Sequence, residues 1–251
     1  MIRAIAFAWL CSAAALAAEE ITVVIDPGHG GVDPGAIQGG VREAALMLTF
    51  AQELSAALVA QDVHVELTRA DDSFVSLQAR TTRARAAGAD LFLSLHADAL
   101  DVDNARGASV YTLAEDAADT AGARMAARHE RDDLIRGVDL TGQSDDVATV
   151  LMDLARAQTA PKAARFAAIL IAALDEKETR LHPNPLKAAP LAVLAPPDFA
   201  SVLIEVGFLS SAQDRALLTT AAGRAPIIAG IVAAVQTWAA DEAARAPLLR
   251  Q

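Results

Sequence analysis

The sequence predicts one α/β domain, a twisted and mostly parallel or mixed sheet flanked by helices, with a helical insertion after the third predicted strand. Three observations lead there. Apolar runs of strand length alternate with helical patterns along most of the chain. At 251 residues the chain can bury one sizeable core without staples. No internal repeat or low-complexity linker divides it.

The elements follow in order. The opening "MIRAIAFAWLCSAAALAAEE" has Arg3 near its start, an apolar stretch from Ile5 to Leu16, and small residues at Ala15 and Ala17 before Glu19. That is the layout of a secretory signal peptide, expected over residues 1–18, and it falls short of the ~20 apolar residues that cross a bilayer. Bulky Trp9 and Leu10 before Cys11 speak against lipidation there.

Ile21–Asp26 then reads as a buried strand and Arg42–Ala60 as a helix with Leu46, Phe50, Leu54, Ala57 and Leu58 on one face. Val63, Val65 and Leu67 alternate as a second strand, and Ser76–Ala87 is a helix stopped by Gly88. "DLFLSLHAD" and "GASVYTL" are the third and fourth strands. Glu115 to Lys177 is helical in pattern, interrupted at "RGVDLTGQSD" and expected to bend at Pro161. The proline-rich "PLKAAPLAVLAPPDFA" reads as a loop, "SVLIEVGFLS" as a buried strand, and Ile227–Ala239 as an amphipathic helix. The expected division is thus a signal peptide over 1–18, one α/β domain over 19–240 and a tail over 241–251. No targeting domain is expected between the signal and the first strand.

Composition narrows the function. The net charge is −11, and loss of the signal removes Arg3 and no acid, giving about −12. So acidic a surface argues against nucleic acid and anionic membranes as electrostatic partners. Cys11 is the sole cysteine. A disulfide and a cysteine–zinc cluster are therefore excluded.

The loop "DPGHGG" connects a strand to a helix, yet neither the phosphate-loop pattern nor G-x-G-x-x-G is present. Its glycines instead allow a sharp turn that presents His29. His96 lies on a strand face with Phe92, Ser94 and Asp98, where a histidine can equally be a hydrogen-bonded core residue. Glu205 stands among Val202, Leu203, Ile204 and Val206, and a buried carboxylate needs a cation or proton traffic beside it. Glu43, in the first turn of a helix, can offset the helix dipole or face the His29 loop. Two histidines and a glutamate at one sheet end would make a three-ligand zinc site with an open position. There is no H-E-x-x-H helix. His64 with Glu66 reads as a solvated strand face, His129 with Glu130 as an exposed helix, and His182 receives no role.

The chain resembles the zinc-dependent N-acetylmuramoyl-L-alanine amidases that cut cell-wall peptidoglycan. The likeness is carried by "VVIDPGHGGVDPGA", "REAALML", "LTRADD", "LQARTTRA", "ADLFLSLHAD" and "PDFASVLIEVGFLSS", in the family's order over residues 21–211. It implies zinc ligation by His29, Glu43 and His96, with Glu205 as the catalytic carboxylate. The bond implied is the amide between the lactyl group of N-acetylmuramic acid and the first L-alanine of the stem peptide. Asp26 and Asp33 either orient His29 or simply stabilise the turn.

The helical block resembles the insertion of division-associated amidases from Gram-negative bacteria, which covers the active site until an activator of the LytM type displaces it. That likeness implies a periplasmic, autoinhibited enzyme, with residues 115–158 as the regulatory insertion and Glu115 as a carboxylate plug on the zinc. The other reading is that these helices cover one sheet face. Two further classes stay open: another zinc hydrolase of cell-wall peptides, and a catalytically dead wall-binding module.

Overall fold

Six strands form one mixed sheet. The computed structural model describes residues 21–99, 105–114, 123 and 146–245. The signal segment 1–18, Glu115, His129 and Glu130 therefore lie outside the described residues. Along the chain the elements are β1 (Thr22–Pro27), a small hairpin of β2 (Ile37–Gln38) and β3 (Val41–Arg42), α1 (Glu43–Val59), β4 (His64–Leu67), α2 (Leu77–Ala87), β5 (Leu91–His96) and β6 (Ala108–Leu113). After these come α3 (Asp146–Glu176), β7 (Leu181–Ala189), β8 (Ala200–Glu205), α4 (Ala212–Leu218) and α5 (Ala221–Arg245).

β1 pairs in parallel with both β4 and β5, and β5 in parallel with β8. β6 runs antiparallel to β8, and β7 parallel to β6. The mixed sheet is covered on both faces, which is why β1, β5 and β8 read as nearly continuous apolar runs. Alternate residues separate the two layers. Val23, Ile25, Leu93, Leu95, Val202 and Ile204 pack with α1, α3 and α5. Val24, Phe92, Tyr111 and Leu203 pack with α2 and the turn at Ala192–Leu194.

Local signals account for the helix ends. The Ser76 side chain accepts from Ala79 N, capping α2, and Gly88 ends it in the left-handed conformation. α1 lacks a side-chain cap, but Glu43 N donates to Ala36 O and Ala44 N to Pro34 O, so the loop itself satisfies its first amides.

Several elements differ from expectation. β7 occupies part of a stretch expected to be a loop, although it carries Pro183 and Pro185. It pairs with β6 alone, so prolines can face the open edge. Its register with β6 shifts between Ala108 and Val110, taking up the irregular residues. α3 runs on through Pro161 as one helix, and α5 extends to Arg245, into the expected tail. The helical block leaves the sheet from β6, the fourth strand predicted, rather than directly from the strand of His96.

α3 belongs to the core. Phe166, Leu170 and Leu174 are buried, the Phe166 and Trp238 rings meet edge-on at 6.0 Å, and Trp238 Nε1 donates to Lys162 O at 3.2 Å. Trp238→Ala is expected to lower the unfolding free energy by about 3–5 kcal/mol, read from urea denaturation. A loss below 1 kcal/mol would show that α3 and α5 are not packed this way.

Candidate metal centre and active site

The centre forms where three segments meet at the carboxyl ends of β1 and β5. The loop after β1 brings His29, the first residue of α1 is Glu43, and the last residue of β5 is His96. All three are buried, and one donor atom from each lies within 4.8 Å of the others. His29 Nε2 is 3.2 Å and His96 Nδ1 3.1 Å from the same oxygen, Glu43 Oε1. The imidazole rings stand nearly perpendicular, 4.9 Å apart.

The surroundings fix each donor. Glu43 Oε1 also accepts from Ala97 N at 3.0 Å, and Oε2 from Ala36 N at 2.8 Å. Asp33 Oδ2 lies 2.8 Å from His29 Nδ1. A proton held there by Asp33 reserves Nε2 for ligation: as the imidazolium it donates to Glu43 Oε1, and with that proton removed its lone pair is available to a metal. Two imidazoles and a carboxylate, buried and converging, fit a zinc ion by donor type and number.

The charges are tightly linked. Burial opposes the His29 cation, but the Glu43 and Asp33 carboxylates outweigh it and push its pKa up to about 10. Burial likewise opposes the Glu43 anion, yet His29 and His96 hold its pKa well below the usual carboxylate range. His96 is lowered, chiefly by burial, with the neighbouring His29 cation adding to it. These shifts favour the protonated His29 ring beside an ionised Glu43. Any divalent metal must displace that proton.

Glycines make room for the centre. A Cβ at Gly28 would lie 2.4–2.8 Å from three atoms of the His96 ring. At Gly35, with φ 63°, it would lie 2.6 Å from His29 Cδ2 and 2.7 Å from Glu43 Oε2. His29 itself has φ 61°, a left-handed conformation uncommon outside glycine.

Glu205 ends β8 in register with His96 on β5, so the two backbones are one strand spacing, about 4.8 Å, apart. Its carboxylate is wholly buried, and Oε2 accepts from Asp98 N at 2.9 Å. Asp26 is held by partners other than His29. Its Oδ1 accepts from Thr68 Oγ1 at 2.5 Å and from Arg80 at 2.6 Å, and its Oδ2 from Ser94 Oγ at 3.0 Å. Burial works against its charge, but Arg80 and Thr68 hold its pKa below the usual value. Arg80 in turn donates to the carbonyls of Pro27 and His29, at 2.9 and 2.7 Å.

Glu115 lies outside the described residues. β6, which leads toward it, starts beside Glu205 at Ser109 and runs away from the centre, and Ala114 N bonds Ala189 O beyond its end. His64 and Glu66 are 4.0 Å apart on exposed β4, and His182 lies on β7 beside Asn184. Arg69 and Arg80 were not singled out in the sequence. Arg80 was detectable as a residue on the face of α2 that carries buried Ala84, where an apolar side chain is expected.

Residues 23–237 match the family described as N-acetylmuramoyl-L-alanine amidase. The chain is 34% identical over 218 residues to the amidase AmiC of Neisseria meningitidis serogroup B, covering 86% of this chain and 52% of that protein. It is also 34% identical over 218 residues to AmiA of Escherichia coli K12, covering 86% of this chain and 75% of that one. The chain thus spans about half the length of the first relative and three quarters of the second. Among solved structures, AmiC2 of Nostoc punctiforme matches with a TM-score of 0.63 at 23% identity, covering 88% of this chain and 98% of that one. Ami1 of Mycobacterium smegmatis matches with a TM-score of 0.65 at 18% identity, covering 89% and 99%. At such identities the structural likeness speaks for the fold alone.

The close approach at Gly28 gives a direct test of the packing around His96. Gly28→Ala is expected to displace the ring and to destabilise the protein by about 1–3 kcal/mol, read from thermal and urea unfolding. Wild-type stability in that variant would show that the loop does not lie against His96.

Proposed function

Because the chain belongs to the N-acetylmuramoyl-L-alanine amidase family, we propose that it is a zinc-dependent hydrolase of peptidoglycan, cutting the amide between N-acetylmuramic acid and the L-alanine of the stem peptide. The observation that carries this is the buried convergence of His29, Glu43 and His96 on one point. These three residues hold the zinc. Zinc bound there supplies Lewis-acid polarisation of the scissile carbonyl and lowers the pKa of water at the site.

The remaining chemistry belongs to the chain. Glu205 takes a proton from the attacking water and delivers it to the departing amine, which cannot leave as an anion. Asp33 holds the proton of His29 Nδ1, and Ala36 N and Ala97 N hold the two oxygens of Glu43, so neither donor has to reorganise. The signal-like segment supports export to the periplasm, where the substrate lies.

Two variants separate metal from chemistry. His96→Ala is expected to lose both zinc and activity. Glu205→Gln is expected to keep its zinc and fold while hydrolysis falls by roughly 10²–10⁴-fold. The readouts are metal content and mass analysis of digested peptidoglycan, in which an amidase releases an intact stem peptide and a peptide-free glycan. Stoichiometric zinc in His96→Ala, or near wild-type turnover in Glu205→Gln, would overturn these assignments. Any other cleavage product would favour a different wall peptidase.

We also propose that the segment between β6 and α3 restrains the enzyme until a LytM-type activator displaces it. The support is topological. β6 and β7 are parallel, so α3 crosses back along the sheet, and Arg156, Thr159 and Ala160 within it line a cavity with Thr112 and Leu113 at the end where β6 stops. Such a junction needs only about 2–6 residues, whereas residues 115–145 fill it here. The plug proposed at Glu115 has to contend with the direction of β6, so the whole segment is the better target. Residues 146–158 are left in place because α3 is continuous with the core, with Arg156 and Thr159 bonded to the carbonyls of Ala195 and Pro197. Replacing 115–145 by a short linker is expected to raise basal wall hydrolysis and to reduce stimulation by a LytM-type activator. A folded, zinc-loaded variant no more active than the full chain would make the segment mere packing.

A further inference from the structure

We propose that Arg69 is a positioning residue for this centre: its guanidinium joins the His29 loop to the first turn of α1 and so sets the spacing between His29 and Glu43. The inference rests on reading that centre as a zinc site. His29 and Glu43 come from different elements, and besides the bonds from Glu43 N to Ala36 O and from Ala44 N to Pro34 O a side chain also ties these elements together, closer to His29. One nitrogen of Arg69 connects them. NH2 donates to Gly28 O and to Ala44 O, both at 2.8 Å, which are the carbonyls of the residue before His29 and the residue after Glu43.

The rest of the guanidinium anchors that bridge. Nε donates to Pro27 O at 2.9 Å and NH1 to Asp71 O at 2.9 Å, so the plane of the group is fixed on three sides. Arg80 completes the clamp from α2 by holding His29 O and Pro27 O. A lysine cannot substitute, because its single ammonium has three donors at one point, whereas the four carbonyls here are spread around a planar fork. No carboxylate hydrogen-bonds Arg69 among the described contacts. Burial and the nearby Arg80 cation together bring its pKa down to about 10. A cation kept under such conditions, with three of its four backbone acceptors on the two donor segments and the fourth in its own loop, is placed for geometry rather than for charge pairing.

The test measures zinc affinity by competition with a chromophoric chelator for the wild-type chain, Arg69→Lys, Arg69→Met and Arg224→Lys. Electronic spectra of the cobalt(II)-loaded proteins and thermal unfolding are followed alongside. Both Arg69 variants are expected to bind zinc about 10–100-fold more weakly and to show an altered cobalt spectrum. Arg224 is also buried, but it holds Glu53 and the Leu218 carbonyl away from the loop. Its lysine variant is expected to lose stability while keeping the wild-type zinc affinity and spectrum. Unchanged affinity and spectrum in Arg69→Lys and Arg69→Met, whatever their Tm, would overturn the proposal. So would failure of both to fold with zinc restoring neither, since Arg69 would then be simply structural. If Arg69→Met alone fails, Arg69→Lys decides. A wild-type chain that takes up no zinc would overturn the zinc reading itself, and this inference with it.

Discussion

A carboxylate with no solvent exposure has to be compensated on every side, and at the centre of the site Glu43 is such a carboxylate. One of its oxygens meets two imidazoles and an amide, and the other meets an amide from the preceding loop. Those partners come from the loop after β1, from the loop leading into α1, and from the end of β5. Satisfying one side chain therefore ties together the elements that open the domain. The same constraint explains the small residues nearby: a carboxylate and two rings fit together only where Gly28 and Gly35 have no side chain.

Around this core the charges are layered. Inside lie Glu43 and the two imidazoles of His29 and His96. Outside them, Asp33 faces His29, and Asp26 anchors Arg80, which grips the backbone of the loop. Each of these groups meets an opposite charge or oriented backbone dipoles. The loop consequently behaves as part of the rigid sheet, although it has little regular secondary structure.

Much of this was legible in the sequence. The alternation of β1, β4 and β5 with α1 and α2 follows from apolar period, and Ser76 and Gly88 mark the ends of α2 by their own chemistry. His29, Glu43 and His96 stood out because a histidine among glycines, a first-turn acid and a strand histidine share one sheet end in any parallel arrangement. What stayed hidden depends on tertiary context. β7 reads as a loop because proline cannot donate to a ladder, and only its place at the sheet edge makes that harmless. Arg69 is likewise unremarkable as a charged residue after a strand, since nothing local says that its head will be buried against four carbonyls. The side on which Asp26 acts was equally invisible, because Thr68, Arg80 and Ser94 reach it from three separate elements.

The prolines of β7 have one more consequence, for the behaviour of many copies together. A sheet has two open borders, and each is a template on which another chain can crystallise strand on strand. Here one border carries Pro183 and Pro185, which lack the amide hydrogens such a template must offer. The other is β4, only four residues long, with His64 and Glu66 turned to water. Neither border is built to let a neighbouring copy extend the sheet, one for want of amide hydrogens and the other for want of length.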